Sequence, residues 1–283
     1  MAAGFLRNIV IENSGEHADW VIENLDKLAT GAAERDLHIF MGMVPRRLGK
    51  SDLQITESDR VGIDAAFPGW SLADWSIDEA ARVLALAVFQ RLRPFSDLFK
   101  DLRRTADAAE LIALYRGLPL YPEPETLGFE LGEGLRSNLR PAFEAIAHNN
   151  PFPRDHFDEH RWNHMILKAL FIDCELEPVI GLDDRANPEL ARIMREFAHE
   201  RWAAGRPRSP ELWRCVGPFA VDDEAVADLA RGLESDGPEA AGAALGLASS
   251  PAAAAVDVLQ ASPFATAVKS GQLTWSNLKG FSL

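Results

Sequence analysis

The sequence predicts an all-α protein of short helices stacked as hairpins, either an armadillo- or HEAT-like superhelix or an irregular helical bundle. Three observations carry this. Apolar residues recur at helical spacing, while period-2 alternation is nearly absent and leaves Arg7 to Ile11 as the one convincing strand-like run. Alanine and leucine, both good helix formers, dominate the ordered stretches. Ser-Pro and Asn-Pro pairs recur where helices are expected to begin. The 283 residues read as a single all-helical domain, 1–283. Within it lie an N-terminal half 1–124, a central motif-dense part 125–217 and an alanine-rich C-terminal helical-repeat part 218–283.

Along the chain, Trp20, Val21, Leu25 and Leu28 mark the first helix, from about Glu16. Ile39, Phe40 and Met43 mark the second, which Pro45 should end or bend. Thr56 with Asp59 resembles an N-terminal cap. Ser76-Ile77-Asp78-Glu79 is a capping box, and Ala80, Val83, Leu84, Ala87, Val88 and Leu92 follow at helical spacing, so this helix should be central to the first half. Asp101 to Leu118 gives one or two helices. Pro119, Pro122 and Pro124 make a rigid crossing loop, and Glu130 to Ala147 returns to helix. Asp158 to Phe171 buries Trp162, Met165, Ile166, Ala169 and Leu170. Asn187-Pro188-Glu189 starts another helix, ended by Gly205. Beyond Gly217 the units are short, and the Ser-Pro pairs at 209, 250 and 262 each place a cap before a first-turn proline.

The formal charge is −14, from 43 acids against 29 bases. Nucleic-acid binding needs a basic stripe, and the cluster Arg201, Arg206, Arg208 is matched by Glu196, Glu200 and Glu211, so no nucleic-acid partner is expected. Neither an export signal nor a membrane span is legible, and the expectation is a cytoplasmic protein. Cys174 and Cys215 are too few for a disulfide framework and read as reduced thiols.

Dinucleotide and phosphate loops, HExxH, GxSxG, kinase motifs and zinc spacing are absent, and no cofactor is implied. Five of the seven histidines lie between positions 148 and 199. His156, His160 and His164, spaced by four with Asp155 and Glu159 nearby, could face a metal such as zinc; His160 and His164 are the better pair, and a third ligand would have to come from elsewhere, such as His199 or Asp158. The bland reading, imidazoles on the face opposite Trp162, outweighs a metal site. His148 stands at a helix end, where it could cap the helix or line a pocket. His199 lies among Glu196 and Glu200, the usual setting of a general base, and surface helices often carry the same composition by chance. Lys168 sits in an apolar segment, where it could snorkel or, if buried, pair with Asp183 or Asp184. Trp162 and Trp213 read as core. Trp70 and Trp75, in the Pro68 to Ser76 loop, are better candidates for a pocket lid or partner contact.

Several short motifs in order resemble the EboA family. They are Phe40-Met41-Gly42-Met43-Val44-Pro45-Arg46-Arg47-Leu48-Gly49-Lys50, His148-Asn149-Asn150-Pro151-Phe152-Pro153, Trp162-Asn163 with Leu167-Lys168-Ala169-Leu170-Phe171, Gly181-Leu182-Asp183, Asn187-Pro188-Glu189-Leu190, His199 to Arg206, Pro210 to Arg214 and Gly271 to Trp275. The resemblance spans nearly the whole chain and is densest from 148 to 214. It implies a bacterial protein of secondary-metabolite handling, encoded beside companions that include a prenyltransferase-like membrane protein. In cyanobacteria that system is associated with exporting pigment precursors. The family pattern retains positions like His148, Asn163, Lys168, Asp183, Asn187, His199, Glu200, Arg201 and Arg206, and does not require His156, His160 or His164.

The functional expectation is a binding or adaptor protein in metabolite traffic. Its partners would be other proteins of the same operon or a small metabolite, with ligand contacts from His148, Asn163, Lys168, Asp183, Asn187, His199, Arg201 and Arg206. One alternative is an enzyme acting on a metabolite precursor, with His199, Glu200 and Lys168 as catalytic candidates converging in one cleft. Another is a structural subunit. A deep tryptophan-lined pocket favours a carrier, and a broad apolar patch favours an adaptor.

Overall fold

A computed structural model describes residues 2–281. Among the described residues the chain forms α-helices and 3-10 turns, with no strand and one isolated bridge, Asp52 to Ser76. No described helix is long and apolar enough to cross a membrane. The chain divides into two compact units, Met1–Asp158 and Glu159–Leu283, and the division falls inside the motif-dense part 125–217.

The first unit contains α1 (Ala2–Asn13), α2 (Ala18–Ala29), α3 (Glu34–Arg47), α4 (Glu57–Ala66) and α5 (Ile77–Val88). It continues with α6 (Phe95–Thr105), α7 (Ala108–Arg116), α8 (Gly128–Arg136), α9 (Arg140–Ala147) and α10 (Phe152–His156). The run Arg7 to Ile11, which looked like a strand, is helical. Ile9 and Val10 are buried with Leu6 just before the run, at i, i+3 and i+4, a spacing that the β-branched composition concealed.

Pro45 does not end its helix, because α3 runs on to Arg47. A proline at 45 cannot donate to the Met41 carbonyl one turn back. The buried Arg82 supplies the missing donor from α5, Nε to Met41 O at 3.2 Å. Arg82 also holds the buried Asp78 at 2.8 Å, and Asp78 accepts the Ser76 hydroxyl at 2.6 Å. The α5 start forms as its motif predicts, with the Ser76 N–H donating to Glu79 at 3.1 Å. The helix is buried on almost every side and packs on α1, α2, α3 and α7. Leu92, expected on its stripe, lies past its end and is fully exposed.

The helix expected over Glu130 to Ala147 is two helices, α8 and α9. They are separated at Ser137 to Leu139, where the Ser137 hydroxyl oxygen accepts the Leu139 N–H at 3.1 Å. Pro141 lies in the first turn of α9, where a backbone N–H has no helical partner to lose.

The second unit contains α11 (Glu159–Phe171), α12 (Pro188–Ala203), α13 (Leu212–Val216), α14 (Asp223–Leu233), α15 (Pro238–Ser249), α16 (Ala253–Ala261) and α17 (Ala265–Lys269). A 3-10 turn over Trp275–Gly280 follows. Asn187 caps α12 as expected, its side chain accepting the Leu190 N–H at 2.8 Å. Gly205, at φ 61°, stops the helix. The Gly205 and Arg206 amides reach back to Trp202 and Arg201, the pattern of a left-handed helix end.

The three Ser-Pro pairs are not caps. Helices begin at 212, 253 and 265, three residues after each serine. The Ser209 and Ser262 carbonyls accept the amides of Leu212 and Ala265, so proline occupies the second position of a turn leading into the helix. At the centre lies α15, buried along Glu239 to Leu247 and packed on α13, α14 and α16. A Cβ at Gly242 would overlap the Pro210 carbonyl oxygen.

Candidate functional site

Two loops of the first unit enclose a polar cavity. The Pro68 to Ser76 loop turns at Gly69, which has φ 88° and donates its N–H to Asp64 at 3.0 Å. It brings Trp70 and Trp75 edge to face at 5.5 Å between ring centroids. The Trp70 indole N–H donates to the Arg116 carbonyl at the end of α7, at 3.0 Å. Both tryptophans are buried. They line the cavity as fixed walls.

The facing loop follows α9. His148 closes that helix, its N–H donating to Glu144 O at 2.8 Å. Asn149 takes a left-handed conformation, φ 51°, which asparagine tolerates better than most residues. Its carbonyl accepts the Ser71 N–H at 3.2 Å and so joins the two loops. Asn150 is buried and fully engaged. Its amide donates to Tyr115 O and Ala145 O, each at 3.0 Å, and its oxygen accepts the Phe152 N–H at 3.0 Å.

Between the loops lies a pocket of about 180 Å³, lined by Trp70, Ser71, Asp74, Trp75, Arg116, Glu144, Ala145, His148, Asn149 and Asn150. Arg116 directs one nitrogen, Nη1, to Asp74 O and Glu79 Oε2, both at 2.8 Å. Glu144 takes Arg140 at 2.7 Å. His148 therefore both terminates its helix and lines a cavity. Arg116, Asp74 and Glu144 were not foreseen as site residues. Each reads locally as a solvated helix or loop charge, and only the meeting of loops far apart in sequence reveals them.

The other expected residues belong to the second unit, where most are paired within small groups. Asn163 and Asn187 exchange hydrogen bonds at 2.9 and 3.2 Å. Asp183 is bound by Arg214 at 2.7 and 2.8 Å. That guanidinium is itself half-buried, and the carboxylates of Asp183 and Glu177 outweigh burial and raise its pKa. Lys168 is half-buried. Burial holds its ammonium below the ordinary lysine range, partly offset by the electrostatic influence of the neighbouring Cys174.

His199 Nε2 meets the buried Asp228 Oδ1 at 2.7 Å, and Arg195 takes the other oxygen at 2.6 Å. Glu200 pairs with Arg206 at 3.6 Å, and Arg201 donates to Pro207 O at 2.9 Å. Trp202 lies beside His199 and Trp213, with the guanidinia of Arg208 and Arg231 over its ring. Asp228 was not foreseen as the carboxylate of His199, because it comes from α14, 29 residues on. His160 and His164 stack at 4.3 Å, and no group of three or more metal-ligating side chains occurs among the described residues.

These features define an all-helical protein with a small polar cavity walled by two tryptophans. Residues 3–217 match the family model described as metabolite traffic protein EboA. The chain belongs to the EboA family, and the family description associates it with metabolite traffic. No curated protein and no solved structure matches it in the same comparisons.

Proposed function

We propose that the protein serves metabolite traffic by binding, with the Trp70–Trp75 cavity holding a small metabolite and the companion proteins of its operon as its partners. The observation that supports this is the cavity's construction. Two buried indoles form rigid walls, and polar groups from two loops converge between them. A few placed polar groups in an aromatic cleft is the usual make-up of a small-molecule site. The volume, about 180 Å³, lies below the ~300–1,000 Å³ typical of drug-sized ligands, so the ligand is small.

The arrangement favours binding over catalysis. His199, a candidate base, belongs to the second unit and is not part of this cavity's lining, and the carboxylate it meets is shared with Arg195. The test is native mass spectrometry of the whole protein after incubation with a metabolite extract. The wild type should retain a small molecule, and Ser71→Trp, which fills the cavity, should lose it. Equal retention by both, or none by the wild type, would remove the reading.

A further inference from the structure

We infer that the ligand of this cavity is a small zwitterion of the amino-acid class, carrying one primary ammonium and one carboxylate. The inference rests on the binding reading above and goes beyond it to the ligand's charge.

The cavity lining holds an acid and a base that do not close on each other. Among the described residues the Asp74 carboxylate takes part in no ion pair or hydrogen bond, although its backbone carbonyl accepts from Arg116. Arg116 spends only Nη1, on that carbonyl and on Glu79, and leaves Nη2 uncommitted. Both residues line the same pocket. Elsewhere in this unit acid and base side chains do close on each other, as Arg7 does with Asp26 and Lys27 with Asp36.

A guanidinium nitrogen with spare N–H groups is a carboxylate donor, and a free carboxylate is an ammonium acceptor. Charge-assisted bonds of this kind are about twice as strong as neutral ones. A plain anion would meet Arg116 but also face Asp74 and Glu144. A plain amine would meet Asp74 but leave Arg116 unanswered. Only a molecule with both charges satisfies both ends. The pocket of about 180 Å³ suits a compact molecule.

The test is isothermal titration calorimetry of the full-length protein against the common amino acids. For each binder, two further ligands are titrated, the amine lacking the carboxylate and the acid lacking the ammonium. We expect at least one amino acid to bind and both truncated analogues to bind at least tenfold more weakly. Asp74→Asn, an exposed and nearly isosteric change, should weaken binding by a similar factor with an unchanged circular dichroism spectrum, and Ser71→Trp should abolish it.

Suppose instead that a neutral or singly charged molecule from the extract is lost in Ser71→Trp while no amino acid binds. The zwitterion assignment then falls and the binding reading stands. An amino acid that binds Asp74→Asn and wild type equally overturns the assignment as well. If nothing binds in a manner sensitive to Ser71→Trp, both fall together.

Discussion

Each unit has one helix enclosed by its neighbours, and the two are built on opposite principles. In α5, bulky side chains surround an internal ion pair, Asp78 with Arg82, and the core around it is aromatic, with Phe40, Phe95, Phe99, Tyr115 and Phe143 all fully buried. In α15, alanine and glycine let backbones approach closely, and the one buried acid, Glu239 in the first turn, is neutralised by Arg208. The polar groups follow the same divide. In the second unit the charges around His199, Asp183 and Glu200 have closed into pairs. In the first, two loops hold Trp70 and Trp75 beside Arg116 and Glu144, which are paired, and beside the Asp74 carboxylate, which is not paired among the described residues. A side chain whose partner lies within its own fold has little left for a ligand, and this is why the proposed site is placed at the Asp74 and Arg116 side chains of the first unit.

Alkaline pH gives the broadest way to test the two units separately. The chain has only two tyrosines, Tyr115 and Tyr121, both in the first unit. Its two cysteines are both in the second. Burial pushes the Tyr115 phenol up to about 12 and the Tyr121 phenol higher still. Burial likewise pushes the Cys215 thiol up to about 12.

A group whose pKa is raised by folding contributes stability that is intact below its unfolded value and is lost as pH climbs to the folded one. The unfolded values are roughly 8.5 for cysteine and 10 for tyrosine. Tyrosinate absorbance should therefore appear together with loss of helical circular dichroism, and not before it. Thiol reagent uptake by Cys215 reports the second unit in the same titration. A tyrosine that ionises near 10 with the helices intact would contradict the enclosed aromatic core.

Asp78→Ala strands the Arg82 charge inside the first unit and should cost about 3–5 kcal/mol, measured by urea unfolding. Gly242→Ala acts on the other principle. Its methyl group meets the Pro210 carbonyl, and crowding of this kind costs about 1–3 kcal/mol. That loss should be read from Cys215 reactivity and leave the tyrosine signal unchanged. His199→Ala should have the smallest effect, less than about 1 kcal/mol, because the ring is half exposed and Arg195 still holds Asp228. A larger loss would show that the polar group around Asp228 is a structural keystone.

Much of this architecture could be read from local sequence. Ser76 with Glu79, Thr56 with Asp59, and Asn187-Pro188 each announced a helix start, because a cap is a contact among neighbours. The same locality misled at Arg7 to Ile11, where β-branched residues sit on a helix, and at the Ser-Pro pairs, which belong to entry turns. His148, Trp70 and Trp75 were visible as site candidates from their loops. Asp74, Arg116 and Asp228 were not, since what distinguishes each is a partner, or the lack of one, tens of residues away.

The arginine that reaches the Met41 carbonyl links the history of three positions. While proline occupies 45, a donor must come from another helix, so 82 is bound to carry one and 78 to carry its counterion. Alanine at 45 would supply the absent amide and release Arg82 from half its task. After that change, an uncharged pair at 78 and 82 becomes accessible by steps that the present sequence forbids. Mutational tolerance at these sites should thus depend on the order in which they are altered.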